Sequence, residues 1–222
     1  MRIFVVSDTH DCPISELKLI AGEAKKRQCD CIIHCGDLED GHFGHPSLGH
    51  LPIWVFPTEM NEKIPPHLPD NWHVLQDDDR QIIRFGKIAI YVNHYLGVEV
   101  LRANLGIPTP EAQTAELIEK AKTKYGQWAA AKIQHKLWGW FSRRKHWPKS
   151  LPFQIVEKIK QEFPDVHYCL FGHSHHQFFH VNYDVALVNP GAFGKGFDGQ
   201  PKRSFATIDT KTWDITFSKV LA

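Results

Sequence analysis

The sequence lacks an uninterrupted apolar segment of the roughly 20 residues that a bilayer-spanning helix needs, and it lacks a signal-peptide pattern. It is also poor in cysteine: there are five, an odd number, and most lie on or near predicted buried strands, which argues against a disulfide framework. Cys29 and Cys31 form a C-x-C pair, which does not have the spacing of a structural zinc site. We therefore expect reduced thiols packed in the core of a cytoplasmic protein.

The distribution of apolar residues indicates an α/β fold. Of the 222 residues, 42% are hydrophobic, so the chain can bury a substantial core. Leu17, Ile20, Ala21 and Ala24 mark one face of a helix between two apolar runs, and strand, helix and strand in succession predict parallel pairing. Gly86 and Lys87 predict a hairpin turn. The predicted strands are Ile3–Val6, Cys31–His34, Ile53–Phe56, Gln81–Phe85, Ile88–Val92, Tyr168–Phe171, Val185–Val188 and two runs around Ala206 and Ile215.

Side chains of the types that bind metal ions follow five of these apolar runs. They are two carboxylates, one amide and four imidazoles: Asp8, His10, Asp37, Asn61, His94, His173 and His175. Oxygen and nitrogen donors without thiolate suit manganese, iron or zinc better than calcium or a closed structural zinc site. Seven ligands are too many for one ion, but they suffice for two ions about 3.5–4 Å apart if one carboxylate bridges. This set predicts a two-metal hydrolase.

The order of these segments along the chain matches a known pattern. It consists of D-x-H at Asp8 and His10, G-D at Asp37, an amide at Asn61, a lone histidine at His94, and G-H-x-H at His173 and His175. In this order the motifs resemble the calcineurin-like metallophosphoesterases, in particular the small, single-domain prokaryotic phosphodiesterases. Asn189-Pro190-Gly191 also resembles the closing motif of the family. The resemblance implies a four-layer αββα sandwich of two mixed β-sheets flanked by helices, which the apolar runs alone do not indicate.

The resemblance also implies a role for each ligand. The first ion would be held by Asp8, His10, Asp37 and His175, and the second by Asp37, Asn61, His94 and His173, with Asp37 bridging. Two dications lower the pKa of a shared water until hydroxide exists near neutral pH, and their charge neutralises phosphate oxygens. The expected reaction is hydrolysis of a phosphodiester, or less favourably a monoester, by this metal-bridging hydroxide, with Asp37, Asn61 and His94 as catalytic residues. Manganese is the expected metal; iron, zinc, nickel and cobalt are the alternatives.

The segment after the third predicted strand departs from the family pattern. Met60 stands where the family has the glycine of a tight turn, and it tolerates positive φ poorly. Asn61 remains the expected ligand, with Glu59 as its substitute. No histidine follows Asn61, so protonation of the leaving group falls to water or to another histidine. The candidates are His34, His42 and His45. The histidines expected on the surface or in loops are His42, His45, His50, His67, His176 and His180.

The long segment between the fourth and fifth motifs is basic and rich in tryptophan. From 97 to 152 it carries ten basic residues against four acidic ones, a net charge of +6, and Trp128, Trp138, Trp140 and Trp147 lie within it. Thr109-Pro110 is a helix-start signal. We interpret this segment as a helical insert in a single domain that spans residues 1–222.

Three roles are open for the insert. Its aromatic residues could pack on the catalytic body with a solvated basic face near an anionic substrate. They could instead stack on nucleic-acid bases while the cations meet phosphates, or bind a membrane surface or a protein partner. The substrate would be a phosphate-ester small molecule or a nucleotide. A different class of function also stays open, namely a non-catalytic metal-binding scaffold that uses the fold to bind a partner. The oligomeric state is not indicated.

Overall fold

Two β-sheets packed face to face form the centre of the computed structural model, which describes residues 1–10, 12–58, 64–75, 81–96, 100, 149–196 and 198–220. In chain order, the strands and helices are β1 (Arg2–Val6), α1 (Ile14–Lys26), β2 (Cys31–His34), β3 (Ile53–Val55), β4 (Trp72–Val74), β5 (Ile82–Phe85), β6 (Ile88–Val92), α2 (Leu151–Glu162), β7 (Tyr168–Leu170), β8 (Gln177–Asn182), β9 (Val185–Pro190), β10 (Ser204–Asp209) and β11 (Asp214–Lys219). Two short 3₁₀ turns lie between β2 and β3, at Asp40–His42 and Pro46–Leu48.

Both sheets are mixed. The first has the strand order β11-β10-β1-β2-β3-β4, in which β1 to β4 are parallel and β10 and β11 pair in antiparallel fashion. The second has the order β5-β6-β7-β9-β8, in which β6, β7 and β9 are parallel and the two outer strands are antiparallel to their neighbours. The predicted hairpin joins β5 to β6, and Gly86 makes its turn with a φ of +61°.

Alternation along β1 divides the interior into layers. Ile3 and Val5 point into the space between the two sheets, whereas Phe4 and Val6 point to the other face, which α1 covers through Leu17 and its neighbours. The outer face of the second sheet is covered in the same way by α2. The residues of α2 that face this sheet are Leu151, Ile155, Val156 and Ile159. The order of layers is therefore helix, sheet, sheet and helix, which confirms the four-layer sandwich.

The apolar patterns account for most of these elements, but not for all of them. All the predicted strands are present, and most of their ends lie within one residue of the predicted ends. Strands β4 and β8 and helix α2 were not predicted, and α2 begins at Leu151, inside the range taken for the insert. Positions 97–99 and 101–148, which make up most of the predicted insert, lie outside the described residues. Neither helix in the described part of the chain has the length and apolar character that a bilayer crossing requires.

Candidate metal centre

The predicted ligands that the structure describes lie where parallel strands of both sheets end. Asp8 and His10 follow β1, and Asp37 follows β2, both in the first sheet. In the second sheet, His94 follows β6, and the histidines of G-H-x-H follow β7. The carboxyl ends of parallel strands are the usual position of ligand sites in α/β proteins. Six of the seven predicted ligands are described, and the seventh, Asn61, lies outside the described residues together with its substitute Glu59.

Asp8 is at the centre of the site and is fully buried. Its Oδ1 accepts a hydrogen bond from the backbone N–H of His173 at 3.1 Å, and it lies 3.2 Å from Nε2 of His175 and 3.7 Å from Nε2 of His94. The second oxygen, Oδ2, is also buried and has no hydrogen-bond partner among the described residues. A buried carboxylate oxygen without a donor is costly unless a cation or water meets it. The residue is thus suited to a divalent cation.

Four side chains converge tightly enough to share one ion. The ligand atoms of Asp8, His10, Asp37 and His175 all lie within 4.8 Å of one another, and these are the four residues assigned to the first ion. Nε2 of His10 is 3.3 Å from Nε2 of His175 and 3.6 Å from Oδ2 of Asp37. The oxygen and nitrogen donors fit manganese, iron or zinc. Their roles as ligands stay predictions.

His94 is held in one orientation by the main chain. It is buried, and its Nδ1 lies 2.9 Å from the carbonyl oxygen of Cys35. Because a carbonyl oxygen only accepts hydrogen bonds, Nδ1 of His94 carries a hydrogen. In the neutral ring, Nε2 then has a lone pair, and this lone pair faces Asp8. The ring also packs against His173, with centroids 5.4 Å apart, and against Tyr95 at 4.7 Å. The two described histidines assigned to the second ion are therefore neighbours.

Two motif glycines make room for the His94 ring. A Cβ on Gly36 would lie 2.8 Å from Nδ1 of His94, and Gly36 also has a φ of +109°. A Cβ on Gly172 would lie 2.7 Å from the same atom and would collide with Oγ of Ser7. Neither distance is one that real Cβ atoms adopt. The glycines of G-D and G-H-x-H are thus required because main chain from both loops packs directly on the imidazole.

Left-handed backbone conformations are concentrated at this site. Asp8, Asp37, His173 and His175 have φ values of +53°, +61°, +63° and +54°. Such conformations cost energy in residues other than glycine, and they persist where surrounding contacts impose them, commonly at functional sites. The G-H-x-H segment therefore presents its two histidines from a turn.

Asn189 and the loop after β9 contact the main chain of the loops that carry the predicted ligands. Asn189 donates from Nδ2 to the carbonyl of Gly172 at 2.7 Å and to Oγ of Ser174 at 3.1 Å, while its Oδ1 accepts from the N–H of Gly191 at 2.8 Å. The N–H of Gly194 donates to the carbonyl of Asp8 at 2.8 Å. The Asn-Pro-Gly motif thus ties the loop after β7 to the loop after β9. Sequence reasoning missed Gly194, although a glycine three residues beyond that motif was the available signal.

Burial and neighbouring charges set the protonation of the site. Burial alone would raise the pKa of Asp8, but His94 and the hydrogen bond from His175 outweigh it and hold that pKa well below its usual range. Burial raises the pKa of Asp37 against the opposing effect of His94. Burial also lowers the pKa of His173 to about 3, with His94 acting in the same direction. At neutral pH, Asp8 is therefore ionised and His173 neutral, the forms that bind metal.

The three histidines considered as proton donors lie at the end of β2 and in the loop that follows it. His34 is buried, its Nε2 lies 3.0 Å from Oγ1 of Thr9, and burial lowers its pKa to about 3. His42 lies in the loop between β2 and β3, as expected, but it is buried there, and burial lowers its pKa. Nδ1 of His45 accepts from the N–H of Ser47 at the start of a 3₁₀ turn. His34 is therefore neutral at pH 7.

All five cysteines are buried and none forms a disulfide, as expected for packed thiols. They are Cys12, Cys29, Cys31, Cys35 and Cys169. Burial raises the pKa of each thiol, that of Cys31 to about 12. Cys35 touches the site only through its carbonyl, because its side chain packs between the sheets. The thiols are therefore protonated at neutral pH and packed in the core, which is typical of structural cysteines.

Comparison with known proteins finds solved structures that have a similar fold. No protein-family model matches the chain, and no curated protein sequence matches it. Among solved structures, it is similar to an archaeal phosphodiesterase at 14% identity and a TM-score of 0.56, covering 99% of this chain and 100% of the other. It is also similar to a protein of Streptococcus pneumoniae TIGR4 described as a predicted phosphoesterase, at 16% identity and a TM-score of 0.52, covering 98% and 88%.

A third similar structure is the zinc complex of Vps29 from Entamoeba histolytica, at 13% identity and a TM-score of 0.53, covering 98% of this chain and 90% of that one. Likeness at such low identity bears on the fold. The two mixed sheets and these structural relatives show that the chain has the calcineurin-like metallophosphoesterase fold that its sequence motifs resemble.

Proposed function

We propose that this protein is a metal-dependent phosphoesterase that hydrolyses phosphate esters, with phosphodiesters favoured over monoesters. The observation that carries the proposal is the group of four ligand atoms around Asp8, whose Oδ2 is buried and has no hydrogen-bond partner among the described residues. Phosphate esters are the substrates that most need concentrated positive charge, because attack at phosphorus adds negative charge to its oxygens. The preference for diesters is supported by the resemblance of the motifs to the phosphodiesterase branch.

The proposed site holds two divalent ions, manganese being the expected metal. The first would be held by Asp8, His10, Asp37 and His175, and the second by Asp37, Asn61, His94 and His173, with Asp37 shared. When bound, the ions would supply hydroxide near neutral pH and neutralise the phosphate oxygens. The convergence of the first four side chains and the fixed tautomer of His94 support this assignment.

The chain's own contribution is to position these groups. Asp8 places a buried carboxylate beside the partly exposed carboxylate of Asp37, and His94 is oriented before any ligand arrives. His34 and His42 are both buried, and Nε2 of His34 lies 3.0 Å from Oγ1 of Thr9. We therefore propose that solvent supplies the proton to the leaving group, and that activity depends on leaving-group pKa more steeply than in enzymes with a dedicated acid.

An alternative proposal is a metal-binding scaffold that binds a partner. The fold is similar to that of Vps29 proteins, and one of these is described as Vacuolar Protein Sorting 29. This similarity of fold favours the scaffold proposal. Binding of nucleic acid by the basic, tryptophan-rich segment is part of the same alternative. A cytoplasmic location is proposed for either function because five buried, unpaired thiols suit a reducing compartment.

The test is hydrolysis of bis-p-nitrophenyl phosphate and p-nitrophenyl phosphate by chelated protein, with and without added Mn²⁺. We expect manganese-dependent turnover with the diester preferred, and loss on the order of 10³-fold in His94→Ala. His50→Ala is the matched control, since His50 is an exposed histidine away from the cluster. Metal-loaded, folded protein that hydrolyses neither ester would contradict the phosphoesterase and leave the scaffold.

A further inference from the structure

His34 is a buried histidine next to the site that the proposed chemistry does not use. It is the last residue of β2, three positions before Asp37, and its side chain is almost fully inaccessible to solvent. Nδ1 of His34 accepts a hydrogen bond from the backbone N–H of Gly36 at 3.2 Å. A ring nitrogen that accepts carries no hydrogen, so a neutral ring has its hydrogen on Nε2. That hydrogen points to Oγ1 of Thr9, 3.0 Å away.

Thr9 lies between the two predicted ligands of the D-x-H motif, and it contacts the main chain of Asp37 as well as His34. Its hydroxyl lies 3.5 Å from the carbonyl oxygen of Asp37 and its N–H donates to the same oxygen at 3.0 Å. The N–H of Asp8 donates to the carbonyl of Gly36 at 3.0 Å. The loops after β1 and β2 are therefore joined by a closed set of hydrogen bonds that includes one buried imidazole and one hydroxyl.

This connection matters because both loops are strained where the ligands leave them. Asp8 and Asp37 each adopt a left-handed conformation. Such a conformation persists only where its surroundings hold it. Parallel pairing of β1 with β2 stops at Val6 and His34, so the side chains of Thr9 and His34 add contacts between the loops beyond the sheet.

We propose that Thr9 and His34 are a positioning pair, which sets the separation of the Asp8 and Asp37 carboxylates for metal binding. The inference rests on the proposed function and assigns neither residue to proton transfer. Partners that orient ligands typically change metal affinity about 10–100-fold when removed. The pair should therefore be visible in metal binding itself, before any substrate is present.

The test is titration of chelated, full-length protein with Mn²⁺ by isothermal calorimetry. Thr9→Val keeps the shape and branching of the side chain but removes the hydroxyl, and we expect Mn²⁺ to bind about 10–100-fold more weakly. Thr9→Ser restores the hydroxyl and should return the affinity to within about threefold of the native protein. Melting of the chelated proteins reports the structural cost separately, and rescue by Thr9→Ser is not expected from a loss of packing alone.

His34→Asn provides the second arm, because the amide oxygen can accept from Gly36 while no donor reaches Thr9. If the two residues act as a pair, Thr9→Val adds little to the loss already caused by His34→Asn. Native affinity in Thr9→Val, or additive losses in the double variant, would overturn the positioning pair while leaving the metal site intact. Absence of Mn²⁺ binding in the native protein would overturn the proposed function and this inference with it.

Discussion

The two sheets contribute different chemistry to the candidate site. The first sheet supplies the carboxylates, Asp8 and Asp37, together with His10, whereas the described ligands of the second sheet are all imidazoles. Neither set is complete alone: His175 from the second sheet closes the four-residue group that begins with Asp8. A site divided between two sheets exists only if the two sheets keep a fixed position relative to each other. The apolar layer between the sheets is therefore needed to bring the predicted ligands of the candidate metal centre together.

The contacts across the junction are made by main chain as well as by side chains. The carbonyl of Cys35, in the first sheet's loop, accepts from His94 in the second, and the N–H of His173 donates to Asp8. Glycines at positions 36 and 172 let these loops approach. The difference between the sheets leads to four predictions, in which damage to the junction is compared with damage elsewhere.

Loosening the layer between the sheets should weaken metal binding more than equal damage behind one sheet. Ile33 faces the second sheet and Ile32 faces α1, and both are buried in β2. We expect Ile33→Ala and Ile32→Ala each to lower the free energy of unfolding by about 2–5 kcal/mol. Urea unfolding with chelator measures this cost, and Mn²⁺ titration should show a larger loss of affinity in Ile33→Ala. Equal affinities in the two variants would contradict the junction model.

Removing divalent ions should destabilise the fold, because at the proposed site the ions would bind residues of both sheets, which meet in the folded state only. At a free Mn²⁺ concentration 100 times the Kd, binding contributes about 2.7 kcal/mol. For a chain of this size that corresponds to a rise in Tm of about 5–10 °C over the chelated protein. Scanning calorimetry with chelator and with Mn²⁺ measures the difference, and His94→Ala should show less of it. A melting curve that Mn²⁺ does not move would argue against a preformed site.

Adding one methyl group at the junction should destabilise the protein, although the same change in a helix stabilises it. Gly172→Ala forces a Cβ against His94 and Ser7, and we expect a loss of about 1–3 kcal/mol. Gly22→Ala is the matched control, because Gly22 lies in α1 with open space where the Cβ would be, and it should gain about 1 kcal/mol. Chemical denaturation of both variants checks the opposite signs, and a neutral Gly172→Ala would show that the loops can yield.

The smallest effect concerns a carboxylate whose partner is a side chain outside the site. Glu16 in α1 accepts two hydrogen bonds from Arg203, at 2.9 and 3.1 Å, and the hydrogen bond to Arg203 lowers its pKa. We expect Glu16→Gln to cost about 1 kcal/mol at pH 7. Because the folded pKa is depressed, this contribution is full above the unfolded value of about 4.3 and is lost as pH falls through the folded value.

The measurement for this pair is the difference in unfolding free energy between native protein and Glu16→Gln from pH 7 down to pH 3. Taking the difference at each pH cancels the loss of metal, which both proteins share. The difference should shrink only below about pH 4.3. A difference that stays constant to the lowest pH would mean that packing of the side chain, and not its charge, stabilises α1.

The predictable part of the fold follows from local patterns. Strands such as β1 and β2 are continuous apolar runs that end in polar residues, so their positions and the ligands behind them could be read from residue types. Strand β8 was not predicted because it is not a continuous apolar run: Phe178 is its one buried residue, and the strand directly follows a motif already assigned to the site. The burial of His42 and the approach of Gly194 to Asp8 depend on residues far away in the chain, which no local pattern reports.

Residue types and their order along the chain were enough to predict an α/β fold and a candidate metal site at the strand ends, and the roles of the six described residues as ligands stay predictions. The tertiary structure decided how those ligands meet: which sheet carries each one, the left-handed turns that present His173 and His175, and the glycine contacts around His94. The physical reason is the range over which each effect acts along the chain. Side-chain chemistry and strand periodicity act within a few residues, whereas the distances between ligands are set by the packing of two sheets whose strands are far apart in sequence.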